Sequence, residues 1–190
     1  ARAFADEVEA LGLARQNPGF RSELARLRGE IAMAEGDAAG AVDLFRDALA
    51  HSPSAAQRMA DLSLVAWAER AAGRLPAALE ASAEAAELHA AQRLAPLENL
   101  DLPMLWWRRC EALRAAGRRR EAEVALGRAY RFQCLRMAGL SDEGLRRNTL
   151  AKRPVARAVV LAWLAAGGRP RHLDGAVRLD ERFGRQVDVG

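Results

Sequence analysis

Three glycines set what this chain can fold into. Gly36, Gly73 and Gly117 each close an alanine-rich stretch, in MAEGDAAGA, ERAAGRLPA and LRAAGRRRE. Aligned on these glycines, the position seven residues before holds Gly29, Ala66 or Cys110, all small. The positions five and twelve residues after hold only alanine: Ala41, Ala78 and Ala122, then Ala48, Ala85 and Ala129. Nine residues after lies Phe45, Ser82 or Leu126. Glycine ends a helix at little cost because it enters the left-handed region without a Cβ clash. One small residue before the turn and two after it let antiparallel helices approach closely. The register therefore predicts helix–turn–helix units that stack to bury a face none can bury alone.

Composition agrees with an all-α chain. The 190 residues include 43 alanines, the strongest helix former, and few β-branched residues from which to build a sheet. At 51% hydrophobic and 28% charged, the chain is not of disordered composition. Caps and breakers predict helices over about 2–15, 21–35, 38–51, 54–72, 76–94, 102–116, 118–138, 142–151 and 154–166. The expected repeat domain is 1–168. Residues 169–190 (RPRHLDGAVRLDERFGRQVDVG) are read as a tail, a short helix or an added strand. The missing initial Met is read as the mark of a piece of a longer protein.

Signatures of chemistry are scarce. There is no GxxxxGK[ST] phosphate loop, no GxGxxG and no HExxH. His51, His89 and His172 are far apart, and Cys110 and Cys134 lack metal-ligand spacing. The expectation is a non-enzyme with no catalytic residue, cofactor or metal. Cys110, in the small-residue slot, is read as a buried thiol, and His89, near a helix end, as exposed or capping. The absence of an 18-residue apolar run argues against a membrane span. With no signal peptide and two cysteines, a cytoplasmic location is expected. Of the 29 basic residues, all but Lys152 are Arg, read as the bias of a GC-rich bacterial genome. The net charge of +4 divides into −5 over residues 1–100 and +9 over 101–190. This asymmetry leaves head-to-tail self-association open. Arg118, Arg119 and Arg120 follow a turn glycine and, with Arg146 and Arg147, form a candidate basic docking patch.

The glycine register resembles that of tetratricopeptide repeats, best in the first unit (Gly29, Ala41, Phe45, Ala48, then Pro53). Trp106 sits eleven residues before its glycine, where that family favours Trp. Glycine spacings of 37 and 44, and Ser82 in an aromatic slot, are departures. The resemblance implies a right-handed α-solenoid of degenerate helix pairs. It also implies a concave groove lined from the positions ten, six and three before each glycine. Those hold Arg26, Glu30 and Met33, then Ser63, Trp67 and Arg70, then Trp107, Glu111 and Arg114. Neighbouring tryptophans differ by about 100° around a helix, so Trp106 is expected in the core and Trp107 in the groove.

A second stretch is similar to the C-terminal part of large bacterial regulators that join a signalling NTPase module to such repeats. Ala129-Tyr130, Leu145-Arg146-Arg147, Leu150, Pro154, Arg157 and Trp163 carry it. The simpler reading makes Leu145, Leu150, Val159 and Trp163 core of a helix pair. Together the resemblances imply a non-catalytic protein-interaction or regulatory scaffold, a module of a signal-transduction or transcription regulator. Its partner would be a protein, a peptide or a sibling domain. The alternatives are a small-molecule or peptide sensor and, less favoured, a nucleic-acid-binding solenoid using the basic C-terminal half.

Overall fold

In a computed structural model, the structure describes residues 17–95, 97, 100–140 and 142–168, together with Asp6 and Glu9. Among the described residues there are eight helices and no strand: α1 (Pro18–Ala34), α2 (Ala38–Ala50), α3 (Ala55–Ala71), α4 (Leu75–Ala91), α5 (Leu102–Ala115), α6 (Arg119–Ala138), α7 (Glu143–Lys152) and α8 (Pro154–Ala165). From α1 to α6 each packs chiefly on its neighbour along the chain and α5 also reaches α3; α8 packs more on α6 than on its neighbour α7, and it also reaches α5. The helix expected over 2–15 (Asp6 and Glu9 excepted) and the segment 169–190 lie outside the described residues. Among the described residues, no helix is long and apolar enough to cross a membrane.

Cap chemistry fixes most starts. Side chains of Asn17, Asp37, Ser54, Asp101 and Asp142 accept from first-turn N–H groups of α1, α2, α3, α5 and α7. Asn17 therefore opens α1 at Pro18, three residues before the expected start. The turn glycines close α1, α3 and α5 with φ of +86°, +77° and +71°. In each, the following N–H bonds back to the last turn: Asp37 to Ala32 O (2.9 Å), Arg74 to Glu69 O (2.8 Å) and Arg118 to Leu113 O (2.9 Å). α8 ends the same way at Gly167 (φ +72°), with Gly168 N–H on Trp163 O at 3.0 Å.

The aligned small residues are core. Gly29, Ala66, Cys110 and all six register alanines are buried, as are Phe45, Ser82 and Leu126. A Cβ at Gly29 would run into the Phe45 ring, so that glycine is needed for close approach. Burying a ring of this size stabilises by about 2–3 kcal/mol. Leu150 and Val159 are buried, and half-buried Trp163 stacks on Tyr130 with centroids 4.8 Å apart and planes 10° off parallel. Leu145 is not core: it is 52% exposed, because α7 is short and turns that face outward.

Two buried carboxylates tie the first units together. Asp61, fully buried in α3, accepts from Arg26 Nε of α1 (3.1 Å), Ser52 Oγ (2.5 Å) and Gln57 Nε2 (3.4 Å). Glu69, also fully buried, binds Arg46 of α2 at 2.6 Å and Arg74 at the start of α4. Farther on, His89 does this work as a neutral ring. Its Nδ1 accepts from Trp106 Nε1 (3.0 Å) and its Nε2 donates to Ala95 O (2.9 Å). His89 is fully buried and its Nε2 bonds a carbonyl beyond the helix end, which corrects the exposed reading. Its bond to Ala95 accompanies the early end of α4 at Ala91, where Arg93 and Leu94 turn left-handed (φ 56° and 54°).

Candidate interaction groove

The positions chosen by register lie on the first helices of successive units, and the structure joins them in parts. Arg26 and Glu30 of α1 and Ser63 of α3 line one cleft of about 280 Å³, with Met104 and Arg108 of α5 on its far wall. Trp67 and Arg70 of α3 are brought to α5: Arg70 pairs with Glu111 at 3.4 Å, and the Arg108 guanidinium lies 4.8 Å from the Trp67 ring centroid. Trp107 and Arg114 pair with each other on α5, guanidinium to ring centroid 5.6 Å, within cation–π range. Trp67 and Trp107 are half-buried, whereas Trp106 is 1% exposed. The tryptophan pair thus divides between core and surface, as the 100° step requires.

Arg108 is the residue the register missed. It donates to Ser63 Oγ at 3.2 Å, a neutral acceptor, while its guanidinium covers Trp67. Burial pushes its pKa down to about 10, outweighing the pull of Asp101, Glu30 and Glu111. It remains charged at neutral pH, so the cleft holds a cation stripped of part of its hydration. Such a charge attracts an anionic or polarisable group more strongly than one in bulk water. The signal was present: Met104, Arg108 and Glu111 are spaced four and three apart, a stripe on one helix face that includes the already chosen Glu111.

The proposed basic patch does not come together. Arg118, Arg119 and Arg120 are exposed at the start of α6, where Arg118 pairs with Glu121 at 2.6 Å. Arg146 donates to Leu140 O (2.7 Å), beyond the other end of that helix. Twenty residues of α6 at about 1.5 Å each put the two groups roughly 30 Å apart. Cys110 and Cys134 are both buried and not joined in a disulfide, and burial raises the Cys110 thiol pKa. Among the described residues, no three His, Cys, Asp or Glu side chains cluster as a metal site would need; His172 lies outside them.

No protein-family model matches this chain, and no curated protein matches its sequence.

Proposed function

We propose that the chain is a helical-repeat interaction module, a solenoid of tetratricopeptide-like pairs that presents the α1–α3–α5 face to a protein segment or sibling domain. The observation that carries this reading is the cleft where Arg26, Glu30 and Ser63, the positions the tetratricopeptide resemblance picks out, meet the desolvated Arg108. Half-buried Trp67 and Trp107, each under an arginine, extend the same face. Tryptophan and arginine in partly desolvated settings are the side chains that dominate binding energy at protein interfaces. The shared ending of α1, α3, α5 and α8 supports a repeating unit. In this reading, which rests on the second resemblance, the module belongs to a bacterial signalling or transcription regulator whose output domain lies outside these 190 residues.

Affinity capture from native cell extract tests the groove. Trp107→Ala should cut recovery of a specific partner by about tenfold or more, with unchanged helical circular dichroism. Equal recovery by the folded variant would refute the groove assignment.

A further inference from the structure

A second cleft, away from the groove tryptophans, lies where α5, α6 and the start of α8 meet. We propose that it is a binding site for an α-carboxylate with a neighbouring N–H, the chemistry shared by a peptide C-terminus and an N-acylated amino acid.

Gln133 of α6 carries the argument. It is 1% exposed, it lines this cleft, and neither Nε2 nor Oε1 has a hydrogen-bond partner among the described residues. Leaving such a group unsatisfied is costly, and native proteins rarely tolerate that without a use. The same cleft is lined by Pro154, Val155 and Ala156, the first residues of α8. No side chain caps that helix, and Pro154 has no N–H. The first-turn donors of Val155 and Ala156 and the helix dipole thus favour an anion there. Lys152, Arg153 and Arg136 stand around it. Asp101, the one acidic residue lining the cleft, is engaged by Arg136 at 2.6 Å and lies 3.9 Å from Arg153. Positive charge is left in excess.

The amide of Gln133 narrows the ligand further. It offers donors and an acceptor together, so its occupant must accept and donate. Inorganic phosphate could serve both through its P–OH, but it would leave the apolar wall of Pro103, Met104 and Val155 uncovered. A terminal residue serves both: its carboxylate takes Nε2–H and the α8 N–H groups, and its own N–H donates to Oε1. The volume, about 220 Å³, falls below the roughly 300–1,000 Å³ of ligand pockets and suits one residue. Pro103, Met104 and Val155 give its side chain an apolar wall.

NMR titration of the full chain tests this, using N-acetyl tripeptides with free C-termini, the same peptides amidated, N-acetyl amino acids and inorganic phosphate. Free-acid peptides should move the Gln133 side-chain amide and the Val155 and Ala156 backbone signals, and amidated ones should bind about tenfold more weakly. Tighter binding of tripeptides than of N-acetyl amino acids points to a protein C-terminus; equal binding points to the small acid. Gln133→Leu should melt no lower than wild type and bind about tenfold more weakly. Lys152→Glu, at an exposed position, should fold normally and also weaken binding. The proposal is overturned by undiminished binding in either variant, by equal binding of amidated peptides, by phosphate alone giving these shifts, or by no binding at millimolar ligand. A Gln133→Leu chain that fails to fold makes Lys152→Glu decisive. Trp107→Ala should leave these shifts untouched, so failure here leaves the groove reading standing.

Discussion

The junction of α1, α2 and α3 and the junction of α4, α5 and α6 follow the same glycine register but are held by opposite chemistry. In the first, two fully buried carboxylates are met by arginines from neighbouring helices. In the second, a buried neutral imidazole takes the Trp106 indole N–H, lies 5.2 Å from the Phe132 ring, and Arg128 covers Trp106 at 4.4 Å. A buried ion pair brings direction and register but little net stability, because desolvating two charges offsets their attraction. A buried aromatic cluster brings transfer energy directly. The repeat register tolerates both because it specifies only where small residues sit, not what bridges the units.

The comparison sharpens most at Trp106. Trp106→Ala should destabilise by about 3–5 kcal/mol in chemical denaturation, through lost area, a cavity and an orphaned His89 nitrogen. A cost below 1 kcal/mol would place the strength of the second junction elsewhere. In the first junction, Arg26→Ala should cost about 3 kcal/mol, since Asp61 would stay buried with only Ser52 and Gln57 to bind it. An arginine removed without effect would show that Asp61 does not depend on its charge.

The smallest expected effect is one of pH, and it separates the junctions cleanly. Burial, aided by the Arg128 charge and only partly opposed by the Ala95 bond, lowers the His89 pKa below its usual 6.5. The unfolded chain then takes up a proton that the folded chain resists. This histidine's contribution is full above about pH 6.5 and is lost as pH falls toward the lower folded value. Denaturation midpoints at pH 7.5 and 5.0 should therefore differ more for wild type than for His89→Gln. Equal pH dependence in both chains would remove His89 as the acid-sensitive contact.

Much of the fold was legible because it is written locally. Asn, Asp and Ser at helix starts accept first-turn N–H groups within three residues, and a glycine can turn left-handed whatever lies around it. Hence the turns fell at Gly36, Gly73 and Gly117 as the spacing required. The misses came where local rules gave way. Leu145 has the apolar character of core, but no later helix of the described chain covers it. Residues 92–94 lose helix to a contact with His89 that propensity does not see. The candidate groove was half legible. Register found Arg26, Ser63 and Trp67, and passed over Arg108, whose importance lies in reaching back 45 residues to Ser63.

By itself the sequence determined helices alone over the described residues, the positions of three turns, the small residues at the close helix contacts and the split of Trp106 from Trp107. Each follows from rules that span no more than a few turns of helix. Tertiary structure decided which buried acids meet which arginines, that Tyr130 stacks on Trp163, and that Gln133 faces a cleft with no partner for its amide among the described residues. Those outcomes depend on the angle and offset at which whole helices settle against one another. Many side chains set that angle together, and no single spacing in the sequence encodes it.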